Sequence, residues 1–221
     1  MERTVFNLAA HTEAVGGHFE RRKAPNGVEI DMPLWDAGCD ERALELLRPW
    51  REKPDGRYYL TDAPATWLII ALIAALRPAR VGYLYMKEDG TEVDMVRLAR
   101  GIKPKAENYD CAFEVIEDGD RLFVNMNSDR PVADIAANGG PHTFDIQNIP
   151  FITIPDLPKG KHIFMHAKGR FCVMDVVAWN YLDGAKSFSI ACHDEDYVCC
   201  YSADPAIAVG DVTKRTLENP L

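Results

Sequence analysis

Short apolar runs alternate with polar turns along this chain, and their spacing predicts both strands and helices. Runs bounded by Gly, Pro or charged residues predict strands at 5–8, 28–32, 58–61, 81–86, 113–116, 122–126, 162–166, 187–192 and 197–202. Longer apolar stretches predict helices at 41–50, 64–76 and 171–182. Strands that alternate with helices in this way predict an α/β fold with mixed sheets.

One segment of the chain resembles another. Residues 54–84 and 158–190 both read as a turn, a strand, a short polar loop, an apolar helix, a basic turn and a strand. Four residues of the first segment match the second at a constant offset: Pro54, Gly56, Arg57 and Ala63 match Pro158, Gly160, Lys161 and Ala167. We therefore predict two pseudo-symmetric Rossmann-like or ferredoxin-like repeats, residues 1–104 and 105–221, fused as an intramolecular pseudo-dimer.

Composition narrows the class of partner. The net charge of −9 argues against broad nucleic-acid binding, which favours a basic protein, but it allows a small anionic ligand in a local pocket. The first ten residues lack the pattern of a secretory signal, and the most apolar run, 63–76, is too short to cross a membrane. Six cysteines without CxxC spacing predict reduced, buried thiols in a cytoplasmic protein.

The loop between the strand and the helix of the second repeat suggests a phosphate site. Small and basic residues, Lys168, Gly169 and Arg170, lead into the predicted helix, and Lys161 lies nearby in sequence. The free N–H groups and the dipole of a helix N-terminus favour an anion there. The alternative is a surface loop with solvated basic side chains.

The corresponding loop of the first repeat is acidic and hydroxylic. Thr61 and Asp62 precede the helix, so Asp62 is either an N-cap or a group that handles a proton or contacts a metal. His166 occupies the matching position in the second repeat, where a histidine can act as acid or base near neutrality. A buried structural histidine is the alternative.

A second polar cluster follows the strand at 187–192. His193 and Asp194 begin a run of one histidine and three carboxylates, and such side chains bind hard divalent ions such as Mn²⁺ or Mg²⁺. A charged hairpin turn is the simpler interpretation of the same run.

Several pieces of the second repeat match one family in order. These pieces are LPKGKHIF (157–164), Gly169-Arg170, the helix at 171–182, the turn at His193-Asp194, YVCCYS (197–202) and Val209-Gly210-Asp211. The pattern is similar to that of the small Csx-type ring nucleases attached to type III CRISPR systems. It covers most of residues 110–212 and, less closely, residues 25–100.

This resemblance implies a function. Members of that family bind cyclic oligoadenylates, cleave them with help from manganese and switch off CRISPR signalling. We therefore predict a ring nuclease in which Lys168 and Arg170 bind phosphates and Trp67 or Trp179 stacks on an adenine, with a place in the core as the alternative for either tryptophan. His166, with Asp62 or Asp194, assists attack by the ligand's own 2′-hydroxyl or by a metal-bound water. The oligomeric state is left open, with a homodimer as one option.

The chain departs from the family pattern, which keeps other functions open. Ala178, Trp179 and Asn180 stand where the family has histidines along the helix, and His-Asp-Glu-Asp replaces its Asp-Pro-Arg turn. A non-catalytic sensor or sponge for the same ligand is therefore one alternative. A protein-interaction module of a defence system is another.

Overall fold

The chain forms two compact units, Met1–Asp94 and Met95–Leu221. The computed structural model describes residues 3–23, 27, 29–35, 38–52, 57–61, 66–76, 81–86, 90–95, 111–127, 154–168, 171–192 and 196–215. The domain boundary predicted at residue 104 lies outside these ranges and stays a prediction.

The first unit contains a four-stranded mixed sheet and a separate two-stranded hairpin. Its strands are β1 (Arg3–Asn7), β2 (Gly17–Lys23), β3 (Glu29–Trp35), β4 (Arg57–Thr61), β5 (Val81–Met86) and β6 (Glu92–Asp94). Its helices are α1 (Cys39–Leu46), α2 (Arg48–Glu52) and α3 (Thr66–Ala75). The sheet order is β1-β4-β5-β6, in which β1, β4 and β5 run parallel and β6 is antiparallel, while β2 pairs with β3.

Helix α3 is apolar on every side, and burial explains its sequence. A helix without a polar face is stable only when protein surrounds it, and residues from Leu68 to Ile73 are buried. Helix α1 packs against α3. Within the described ranges, no helix is long and apolar enough to cross a membrane.

The second unit contains a six-stranded mixed sheet and one described helix. Its strands are β7 (Ala112–Asp118), β8 (Arg121–Asn127), β9 (His162–Lys168), β10 (Ser187–Cys192), β11 (Tyr197–Ser202) and β12 (Val212–Thr213), and its helix is α4 (Phe171–Tyr181). The order is β12-β11-β10-β9-β8-β7, with β8, β9 and β10 parallel. Strands β7 and β8 form a hairpin: Asp118 pairs with Arg121, and Gly119 has the positive φ of 57° that a two-residue turn requires.

The two sheets share a strand order, and the predicted α/β class with mixed sheets is confirmed. In each unit two parallel strands are followed by a helix, a third parallel strand and an antiparallel strand: β1-β4-β5-β6 in the first unit and β8-β9-β10-β11 in the second. The register also agrees, because Tyr58 pairs with Val81 as His162 pairs with Ser187.

Strand β9 presents different chemistry on its two faces. Ile163 lines a cavity of about 270 Å³ together with Asn180 and Tyr181 of α4, so this face of the strand points toward the helix. Because side chains alternate along a strand, Phe164 and His166 point to the opposite face. There Phe164 stacks on Phe123, with ring centroids 5.4 Å apart.

The cysteines agree with the predicted thiols. Cys39, Cys111, Cys199 and Cys200 are buried and form no disulfide. Burial raises the pKa of the Cys39 thiol to about 12, so this thiol stays protonated at neutral pH. Disulfides therefore contribute nothing to the stability of the fold at these four positions.

One carboxyl group of helix α4, that of Asp175, is buried. Asp175 is 3% exposed, and its Oδ1 has no hydrogen-bond partner among the described residues. Burial raises the pKa of this carboxyl well above its usual range, which favours the neutral acid. The group therefore destabilises the core that surrounds it.

Gly82→Ala should lower the free energy of unfolding by about 1–3 kcal/mol through overpacking. Gly82 pairs with Tyr59 of β4, and a β-carbon at position 82 would lie 2.8 Å from atoms of the Tyr59 ring. In a Tyr59→Ala background the same change should cost less than about 0.5 kcal/mol, because the ring is gone. Urea unfolding of the four proteins measures this cycle, and equal costs in both backgrounds would contradict it.

Asp175→Leu should raise the free energy of unfolding at pH 7 by about 1–3 kcal/mol, because it removes a buried, unsatisfied polar atom. Glu114→Leu, at an exposed position of β7, serves as the control and should stay within about 0.5 kcal/mol. Chemical denaturation of both variants provides the comparison. A less stable Asp175→Leu protein would show that the carboxyl makes a bond the core requires.

Candidate functional site

The carboxyl ends of three parallel strands meet at one edge of the second sheet. Asn127 pairs with Lys168 at the ends of β8 and β9, and Ala167 pairs with Cys192 at the end of β10. Ligands of α/β proteins commonly bind at this edge. Strand β9 extends through Lys168, two residues beyond its predicted end at 166, so the backbone of Lys168 lies at this edge.

His166 lies next to this edge and contacts a residue from the far end of the chain. It is 4% exposed, and its Nε2 lies 3.3 Å from Nη1 of Arg215. A guanidinium group can only donate hydrogen bonds, so Nε2 must accept. His166 is therefore neutral in this arrangement, with its proton on Nδ1.

Two further residues complete what we call the carboxyl-edge cluster: His166, Asp196, Tyr197 and Arg215. The backbone N–H of Arg215 donates to Oδ1 of Asp196 at 3.0 Å. Tyr197 is fully buried against Phe164. Burial raises the pKa of the Tyr197 phenol, and the neighbouring Arg215 charge opposes that rise.

Strand β12 brings Arg215 to the cluster. Val212 and Thr213 pair with Val198 and Tyr197 of β11, and Arg215 follows two residues later. Arg215 lies beyond the Val-Gly-Asp segment (209–211) and was not among the predicted site residues. Its only signal in the sequence is a basic pair, Lys214-Arg215, directly after a short β-prone dipeptide.

Four predicted site residues of the second unit have no described position. Gly169, Arg170, His193 and Asp194 lie outside the described residues, so their predicted roles stay predictions. Within the described part of the chain, no group of three His, Cys, Asp or Glu side chains is arranged to hold a metal ion. The metal site predicted at His193 and Asp194 lies outside these residues and stays a prediction.

Thr61 lies at the corresponding edge of the first sheet. It is the last residue of β4, and its carbonyl accepts the N–H of Leu8 at 3.1 Å. Trp67 is the second residue of α3 and is half-buried. Asp62 lies outside the described residues, so its predicted role stays a prediction.

Lys161 lies at the opposite, amino-terminal edge of the second sheet. Its Nζ donates to the carbonyl of Gly119 at 2.5 Å and pairs with Glu117 at 2.9 Å. A strand rises about 3.3 Å per residue, so the length of β9 places Lys161 roughly 20 Å from Lys168. Lys161 is therefore separated from the backbone of Lys168 by the length of the strand.

Beside Lys161 lies a group with the composition of a catalytic triad. His162 Nδ1 is 2.8 Å from Ser187 Oγ, and its Nε2 is 3.5 Å from Asp120 and 3.7 Å from Asp204. Ser187 is 1% exposed, so its hydroxyl cannot reach a substrate. The arrangement instead ties together the starts of β9 and β10 and two flanking turns.

Lys186 completes this amino-edge cluster, which comprises Asp120, His162, Lys186, Ser187 and Asp204. Its ammonium lies 3.0 Å from Asp120 and 3.5 Å from Asp204. The hydrogen bond from Lys186 lowers the pKa of Asp120. The N–H of Ala206, with help from Lys186, lowers the pKa of Asp204.

Comparisons with known proteins leave the function to be argued from these residues. No protein-family model matches the chain, and no match was found among curated proteins. The similarity to the ring nucleases therefore rests on the sequence pieces quoted above.

Asp204→Asn should make the protein less sensitive to acid. The pKa of the Asp204 carboxyl is lower in the folded state than its ordinary value of about 3.9. Its charge therefore stabilises the folded state at pH values above the ordinary pKa, and this stabilisation is lost as the pH falls through the lowered pKa. The variant keeps an acceptor for the Ala206 N–H but has no charge to lose. Urea midpoints at pH 7, 4 and 3 should fall less steeply than those of the wild type.

Glu114→Gln removes an exposed carboxylate from β7 and is the control for this measurement. It should retain the acid response of the wild type. Identical acid responses in the wild type and Asp204→Asn would show that Asp204 contributes nothing to pH-dependent stability.

Proposed function

We propose that the chain binds a cyclic oligoadenylate at the carboxyl edge of β9 and cleaves it, as the ring nucleases it resembles do. The observation that carries the proposal is the contact between His166 Nε2 and the Arg215 guanidinium. It places a neutral imidazole with an accepting nitrogen beside a permanent cation. A base and a cation are what cleavage of a phosphodiester requires from side chains.

The chemistry follows from these two groups. The ligand's 2′-hydroxyl oxygen forms a bond to the adjacent phosphorus, and its proton passes to Nε2 of His166. The bond from phosphorus to the 5′-oxygen breaks, and that oxygen takes a proton from water. The products are a linear oligoadenylate with a 2′,3′-cyclic phosphate and an imidazolium that releases its proton to solvent.

Arg215 stabilises the charge that develops on the phosphate during this step. A guanidinium forms paired hydrogen bonds with phosphate oxygens, and these are stronger than bonds to neutral groups. Lys168, Gly169 and Arg170 are proposed to bind a neighbouring phosphate before α4, where free N–H groups favour an anion. Lys168 ends β9, two residues after His166.

We also propose that the two units are pseudo-symmetric repeats. The common strand order and the matching register of β4 with β5 and of β9 with β10 support this. Asp62 of the first repeat then corresponds in sequence to His166 of the second.

One observation favours binding without cleavage as a second candidate function. His166 is 4% exposed, and a base must come within hydrogen-bond reach of the proton that it removes. If the imidazole stays covered, the protein would hold the ring intact, as a sensor or sponge.

His166→Gln should reduce the cleavage rate at least 100-fold with little change in ligand affinity, because general-base catalysis contributes about 10²–10⁴. The assay incubates the protein with cyclic tri-, tetra- and hexa-adenylate, with Mn²⁺ or with EDTA, and identifies the products by mass spectrometry. His162→Gln is the matched control, since it changes a histidine on the same face of β9 at the opposite edge.

Linear products from the wild type and from His162→Gln, but not from His166→Gln, are expected. Intact rings that remain bound to the wild type would favour the sensor or sponge. Intact rings that do not bind would contradict both functions and favour a protein-interaction module.

A further inference from the structure

The side chain of Arg215 covers the reactive nitrogen of His166. The guanidinium occupies the accepting lone pair of Nε2, and His166 is otherwise surrounded by protein, with 4% of its surface exposed. Arg215 itself is only half-buried. The guanidinium must therefore leave Nε2 before this nitrogen can accept a proton.

Backbone hydrogen bonds hold the main chain of Arg215, and its guanidinium contacts the Tyr197 phenol as well as His166. Strand β12 pairs with β11, and the N–H of Arg215 donates to Asp196. These bonds hold the main chain in place whichever partner the guanidinium contacts. A change of partner then requires rotation about side-chain bonds and no movement of the backbone.

The Arg215 guanidinium binds a phosphate more strongly than it binds the imidazole of His166. A hydrogen bond from a guanidinium to a neutral imidazole nitrogen involves one charged group, whereas paired bonds to a phosphate involve two opposite charges and are roughly twice as strong. A phosphate at this edge therefore competes effectively for the guanidinium. The same exchange frees Nε2 to accept a proton.

We propose that Arg215 is a phosphate-binding residue that masks His166 until a phosphate arrives and then exposes its Nε2. The proposal rests on the proposed function for the identity of the natural ligand. It reconciles a buried histidine with base catalysis, because the ligand itself uncovers the base. Binding of the phosphate by Arg215 thus makes Nε2 of His166 able to accept a proton.

Imidazole ¹⁵N NMR of histidine-labelled protein at pH 8 tests this coupling, with inorganic phosphate as the probe and chloride at equal ionic strength as the reference. The His166 signals are assigned by their loss in His166→Gln. In the wild type, Nε2 should show the shift of an unprotonated, hydrogen-bonded nitrogen, and phosphate should move that signal while chloride does not. In Arg215→Gln the apparent affinity for phosphate, read from this signal, should fall at least tenfold.

Lys214→Gln is the matched control, because it removes one positive charge from the neighbouring position and should keep the phosphate response. Thermal melting verifies that each variant is folded. Two results would overturn the proposal: phosphate that leaves the wild-type His166 signals unchanged, or phosphate that moves them equally in Arg215→Gln.

Measurement of ring cleavage on the same samples separates this proposal from the proposed function. Cleavage without a phosphate response at His166 would retain the nuclease and overturn the role of Arg215. A phosphate response without cleavage would retain the role of Arg215 and overturn the nuclease.

Discussion

The register of β9 between its two parallel neighbours determines on which face of the sheet His166 lies. Phe164 and His166 share a face with Phe123 of β8, while Ile163 and Met165 point toward α4. A slip of one residue would exchange the two faces. His166 would then enter the core beneath the helix, and its contact with Arg215 would be lost.

Packing of aromatic side chains stabilises this register of β9. Phe123, Phe164 and Tyr197 form one buried cluster on the face that carries His166. At the amino edge, the cluster around His162 and Lys186 links the starts of β9 and β10 to the turns beside them. Apolar contacts near the carboxyl edge and charged contacts at the amino edge therefore hold the same strand in one position, which leaves the carboxyl edge free for chemistry.

Much of the fold was predictable because the spacing of apolar residues and the position of turn residues determine the structure of short segments. The bounds of β5, β10 and β11 match their predictions, since each is a β-prone run with clear breakers. Strand β2, by contrast, is largely exposed and polar, and β12 has two residues, so neither has a hydrophobic pattern. The helix predicted at 41–50 is divided into α1 and α2, with Pro49 in the first turn of α2, where a missing N–H costs nothing.

The candidate site was less predictable because it depends on pairing between distant segments. Position in the sequence indicated His166, but Arg215 lies 49 residues further on and reaches it only through β12 and Asp196. Lys161 was predicted to bind phosphate with Lys168 because the two are seven residues apart in sequence. The strand between them is extended, so Lys161 lies at the opposite, amino-terminal edge of the sheet. Asp175 was missed because the apolar residues around it dominate the pattern of α4.

Hydrogen–deuterium exchange with and without cyclic oligoadenylate tests the central claim, that the ligand binds at the carboxyl edge of β9. Binding there should slow exchange in peptides that contain residues 166–171 and 212–215, and should leave those around Lys161 and Lys186 unchanged. Protection confined to the amino edge, or no protection in either region, would contradict the account.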